Sequence, residues 1–110
     1  MIFISKNESG LAKSDWIASL KLGAHFVTRR KKPVKVGVVK AIQPGRGMKG
    51  IAKGKVVSCM KHTDWSHPFS FTQIEAELEG FNSWEGLVGW LEEHGIDISE
   101  TYRVEMVKVA

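Results

Sequence analysis

The chain of 110 residues has the length of one domain, and its 43% apolar and 25% charged residues exclude wholesale disorder and a fibrous repeat. Cys59 is the single cysteine, which excludes an intramolecular disulfide and a multi-cysteine zinc site. The net charge of +4 hides an asymmetry: residues 1–62 carry 14 Lys/Arg against 2 acidic residues, a net of +12, whereas residues 63–110 carry 2 against 10, a net of −8.

In chain order, residues 1–4 read as a short strand, too short an apolar run for a secretory signal. Ser14 reads as the N-cap of a helix with Asp15 in its first turn, Trp16, Ile17 and Leu20 on one face, and Gly23 as its stop. Residues 24–29 are strand-like, with Phe26 and Thr28 on one side and His25 and Val27 on the other. Pro33 breaks the basic run Arg29, Arg30, Lys31, Lys32, after which Val34, Val36 and Val38 alternate with Lys35 and Gly37 in a second strand region that runs toward Pro44. A glycine-rich connection, residues 45–50, leads to a long strand over 51–60, enriched in β-branched residues at Val56 and Val57.

Residues 62–71 have no period and read as a loop. Residues 72–79 predict a short helix ended by Gly80, and Ser83 caps a second one whose stripe is Trp84, Leu87, Val88 and Leu91, ended by Gly95. Tyr102, Val104 and Met106 alternate with Arg103 and Glu105 in a strand returning to the sheet. This order predicts a single α+β domain over residues 1–110, with Ile4, Trp16, Leu20, Val27, Val39, Val57, Leu87, Leu91 and Val104 in one core. No window approaches the roughly 20 apolar residues that cross a bilayer, so the expected setting is cytosolic, without a membrane partner.

The helix before Gly23, the run His25-Phe26-Val27-Thr28-Arg29-Arg30, the valine-rich 33–39 segment and Glu79-Gly80-Phe81 ahead of a helix resemble the ASCH domains, relatives of the RNA-binding PUA fold, over nearly the whole chain. The resemblance implies a small, partly open mixed β-barrel flanked by two or three helices, with a cleft that faces nucleic acid or nucleosides. Members of that family include RNA-binding coactivator modules, ribonucleases, and amidohydrolases that deacylate N4-acetylcytidine. The hydrolase members carry a glycine, a lysine two residues on, a threonine five on, an arginine seven on, and a glutamate at the later Glu-Gly. Counted from Gly23, this chain has His25, Thr28 and Arg30, and Glu79 supplies the carboxylate. His25 stands where lysine is expected, and the nearest lysine, Lys21, precedes the glycine.

Amide hydrolysis needs a nucleophile, a base for its proton and a donor for the developing oxyanion, roles open to Thr28, to Glu79 or His25, and to Arg30. The +12 block repels itself unless it is neutralised by the acidic half of the molecule or by a phosphate backbone. The leading expectation is therefore a nucleic-acid-binding module, most simply for RNA. Arg29, Arg30, Lys31, Lys32, Arg46, Lys49, Lys53 and Lys55 would contact phosphates, and Trp65 in the aperiodic loop would stack on a base. The hydrolase is the alternative, and a basic face docking an acidic protein is a third. No cofactor or metal is expected. Gly45-x-Gly47-x-x-Gly50 lacks the helix that would hold a pyrophosphate, and Cys59, His62, Asp64 and His67 match no structural zinc spacing.

Overall fold

Strand alternation and positive-φ glycines divide this chain into short elements, and each is closed by a contact from a distant segment. The computed structural model describes residues 1–64 and 72–110. Four strands, β1 (His25–Arg30), β2 (Val39–Ile42), β3 (Ala52–Lys61) and β4 (Tyr102–Lys108), form one antiparallel sheet in the order β1-β4-β3-β2. Helix α1 (Lys13–Ser19) precedes β1, and α2 (Thr72–Leu78) and α3 (Trp84–Glu93) lie between β3 and β4. One 3-10 turn, His62–Asp64, follows β3 and another, Ile98–Glu100, precedes β4.

The register assigns the two faces. Phe26, Met106 and Val56 form one row, and Thr28, Val104 and Cys59 the next, on the side that carries the first core. There Phe3, Ile17, Phe26, Ile42, Val56, Val104 and Met106 are buried together, each large side chain contributing roughly 1.5–3 kcal/mol of burial free energy. A second cluster, Ala76, Phe81, Leu87 and Leu91, lies between α2 and α3, so the apolar residues separate into two groups rather than one.

The sheet departs from the expected mixed barrel. It is open in the described residues, its strands are all antiparallel, and the parallel element is an isolated bridge between Ile2 and Gln43. Residues 1–4 make that bridge and no strand, and Ile4 is 65% exposed. β2 begins only at Val39, because Gly37 turns at φ +93 and residues 37 and 38 hook onto Val56 through Gly37 N–H to Val56 O and Val56 N–H to Val38 O. Val39 is exposed because its row, Val39-Lys55-Val107-His25, faces outward. Val57 is exposed because the register shift between Val56 and Ser58 leaves it unpaired, and such a bulge interrupts alternation. Val27, Leu87, Leu91 and Val104 are buried, and Trp16 and Leu20 are half-buried.

The helix ends also differ from expectation in instructive ways. Ala12, not Ser14, is the N-cap of α1 and makes no side-chain bond. Lys13 N–H instead donates to Ser5 O, so the N-terminal segment does the capping and Ser14 is free to be buried. The helix stops at Ser19 rather than at Gly23, and its last carbonyls take the Lys108 ammonium, at 2.6 Å from Ala18 O and 2.7 Å from Leu20 O. Ser83 caps α3 as expected, accepting from Gly86 N–H, and Glu8 adds a carboxylate to Asn82 N–H and the Ser83 hydroxyl.

Gly80 turns the chain out of α2 at φ +85, and an added Cβ would stand 2.8 Å from the Trp16 ring. Gly80→Ala is expected to destabilise the fold by about 1–3 kcal/mol, from left-handed strain and from displacement of the indole. Urea denaturation at constant m-value checks this, whereas alanine at Gly89, which has open space and no positive φ, should cost far less.

Candidate active site

Between the two apolar clusters lies a cavity of about 100 Å³, room for several waters or one small planar group. Phe3, Phe81, Leu87 and Trp90 give it apolar walls, and Lys13, Thr28, Arg30 and Glu79 bring polar groups to them. They come from three places in the fold. Thr28 and Arg30 share one face of β1 by alternation, Glu79 is the first residue past α2, and Lys13 opens α1.

Lys13 is 7% exposed, and its Nζ donates to Val27 O at 2.6 Å, beside the residue that precedes Thr28. Burial lowers its pKa to about 8, and Glu79 pulls it back up while Arg30 and Arg29 push it further down. Glu79 is 1% exposed, and burial raises its pKa against the opposing pull of Arg29 and Lys13. Arg30 lies with its guanidinium 4.7 Å from the Phe3 ring centre and donates from Nη2 to Ile2 O at 2.7 Å. Its Nε is buried with no partner among the described residues, and burial lowers the group to about 10. The site thus holds a depressed amine, a hydroxyl, a carboxyl and a donor without an acceptor.

A line of alternating charge leads away from the cavity, starting at Arg29 and Glu79, which both line it. Arg29, its side chain 4% exposed, donates from Nε to Glu79 at 3.0 Å, from Nη2 to Glu75 at 2.9 Å, and from Nη1 to His62 Nδ1 at 2.8 Å. Arginine only donates, so His62 accepts through an unprotonated Nδ1. Arg103 grips both oxygens of Glu75, at 2.8 and 2.9 Å, and reaches Glu105 at 3.1 Å, which in turn meets His25 at 2.8 Å.

The structure therefore brings Thr28, Arg30 and Glu79 to one cavity and leaves His25 out of it. His25 lies on the opposite face of β1 from Thr28, half exposed, at the outer end of the ionic line. Lys13, which no count from Gly23 reaches, also lines the cavity. Helical spacing puts it on one face with the buried Ile17. No family model, no curated protein and no solved structure matches this chain.

Of the residues expected to meet phosphates, Lys31, Lys32, Arg46, Lys49, Lys53 and Lys55 are exposed, whereas Arg29 is buried in the ionic line and Arg30 turns into the cavity. Trp65 and His67 lie outside the described residues. Among those described, no three His, Cys, Asp or Glu cluster as metal ligands. The Gly45–Gly47–Gly50 segment is the β2–β3 connection, followed by a strand, and no helix in the described residues is long and apolar enough to cross a membrane.

A lysine titrating lower in the folded state than its model value of 10.5 makes the unfolded chain bind more protons between the two values, so stability rises with pH across that window. Global stability is expected to rise between about pH 8 and 10.5 by up to about 3 kcal/mol from this group, and Lys13→Met should lack that part of the rise. Denaturation midpoints of both proteins across that range decide it.

Proposed function

We propose that the chain is a hydrolase cleaving the acyl amide of a small planar ring, of the kind found in an N4-acylated cytosine, with Thr28 as nucleophile and Lys13 as its base. The observation that carries this is the buried Lys13 amine, 2.6 Å from the carbonyl of Val27, in the cavity that Thr28 and Glu79 also line. In the neutral form Lys13 accepts the proton of Thr28 Oγ as that oxygen attacks the amide carbonyl. The oxyanion takes up Arg30 Nε, the donor without an acceptor. The Lys13 ammonium then protonates the departing amine as the C–N bond breaks, leaving an ester on Thr28. Lys13, neutral again, takes a proton from water, which attacks the ester. The same proton returns to Thr28 Oγ as the carboxylic acid leaves. The Glu79 carboxylate balances each ammonium form.

The ASCH resemblance supports the acyl-nucleoside class through Thr28, Arg30 and Glu79, with the amine arriving from α1 instead of from position 25. The N-terminal segment touches both edges of the open sheet, donating from Phe3 N–H to the O of Gln43, the residue after β2, and accepting at Ile2 O from Arg30 of β1. Phe81 and Trp90, ring centres 6.5 Å apart, offer flat apolar surface to a planar ring.

Incubated with N4-acetylcytidine, the protein is expected to release cytidine and acetate, with a rate that climbs toward a plateau above about pH 8 as Lys13 deprotonates. Thr28→Ala and Lys13→Met should each lower kcat by at least about 100-fold, and His25→Ala should stay near wild type. Chromatography of the products tests this, and no turnover by wild type, or full turnover by Thr28→Ala, removes the reading.

A nucleic-acid surface is favoured by a separate observation. Lys53 and Lys55 stand on the outward face of β3, Arg46 and Lys49 lie in the exposed β2–β3 connection, and none of the four pairs with a described acidic residue. Titration of single-stranded RNA should give a logarithmic affinity that falls linearly with the logarithm of salt. Replacing Arg46 and Lys49 by Ala should flatten that slope by about 1.4, at about 0.7 per phosphate contact. An unchanged slope sets RNA aside.

A further inference from the structure

We infer that Arg29 is the positioning residue of this site, fixing the direction of the Glu79 carboxylate while itself being fixed by Glu75 and His62. The inference deepens the hydrolase reading and rests on it only for its effect on rate.

Glu79 follows a helix of only seven residues, and among the described residues its carboxylate has one hydrogen bond, from Arg29 Nε to Oε2 at 3.0 Å. That bond sets which way the carboxylate points. A guanidinium is planar, so two arms held elsewhere determine the direction of the third. Arg29 Nη2 is held by Glu75 at 2.9 Å and Nη1 by His62 at 2.8 Å. Glu75 cannot drift, because Arg103 closes on both its oxygens, and Arg103 is tied to Glu105 on its own strand. Arg29 reaches the edge of the cavity as well. Lys13 and Glu79 both line it, and Glu79 is the first of the charges that raise the Lys13 amine.

The groups that face Glu79 are Arg29 from β1, Lys13 from α1 and Glu75 from α2, with His62 acting through Arg29. Of these Arg29 is the strongest pull toward the ionised form, against a burial that favours the protonated acid. A protonated Glu79 leaves the Lys13 ammonium without its counter-charge. Lysine at position 29 keeps the charge, but a single nitrogen cannot hold three acceptors in a plane.

The test is a pH titration of the Glu79 side-chain carboxyl by ¹³C NMR in the full chain. The proteins are wild type, Arg29→Lys, and the double variant Arg29→Gln with Glu75→Gln, which removes one positive and one negative charge together. In the double variant Glu79 should titrate higher than in wild type, by less than the about one to three units for loss of an adjacent opposite charge alone, because loss of Glu75 acts the other way, with Arg29→Lys in between. On N4-acetylcytidine the double variant should turn over more slowly than wild type, and Arg29→Lys should recover part of the rate. A Glu79 titration that stays at the wild-type value in both variants overturns the inference. Should the double variant fail to fold, Arg29→Lys alone decides by the same shift. The NMR result does not depend on turnover, so an inactive wild type would remove the hydrolase reading while leaving the positioning of Glu79 measurable.

Discussion

Arg29 holds Glu75, Glu79 and His62 at the same time, and the place of α2 against the sheet follows from that one guanidinium. Burying so many charges is costly, and the attraction between them offsets the cost only where every acceptor is met. Here Arg103 completes Glu75 and Glu105 completes Arg103, so the line ends at solvent through His25. Removing a single member would strand a buried charge, at a cost of about 3–5 kcal/mol, although an apolar replacement of the whole group could be neutral. What the line specifies is register. α2 docks where Glu75 meets both guanidinium groups, and that docking carries Glu79 to the cavity.

Two buried lysines show how the same side chain takes different work from its surroundings. Lys108 finds two carbonyls at the end of α1 and completes the last turn of that helix. Lys13 finds one carbonyl and a cavity, and its amine is pushed down to about 8. The two ammonium groups differ in their acceptors, two helix-end carbonyls for Lys108 and one strand carbonyl for Lys13. The N-terminal segment makes the second case possible, because Ser5 O caps α1 at Lys13 and Ile2 O pulls Arg30 over Phe3.

The basic run at residues 29–32 divides for the same reason. Neighbours on a strand point to opposite faces, so Arg29 and Arg30 cannot share one environment. Each face of β1 happens to be covered: α2 lies over Arg29 and the N-terminal segment over Arg30. Lys31 and Lys32 lie past the strand and remain in solvent with Lys53 and Lys55. The charge asymmetry of the chain thus becomes an internal ionic line together with an external basic surface.

Local signals in the chain were enough for β1, β3, β4, α2 and α3, since alternation, the Ser83 cap and the glycines at 80 and 95 act within a few residues. Thr28, Arg30 and Glu79, by contrast, are singled out by the ASCH resemblance and not by local signals. Beyond their reach were the bulge that exposes Val57, the late start of β2 and the open sheet, each of which depends on how one strand meets another. The arrival of Lys13 in the cavity, and the exclusion of His25 from it, belong to that second class. Spacing counts residues along the chain, and Lys13 at the start of α1 reaches β1 through Val27 O, a contact between segments that have no fixed interval. Which faces a residue can occupy was set by its own sequence, and which neighbour waits there was decided only when the elements packed.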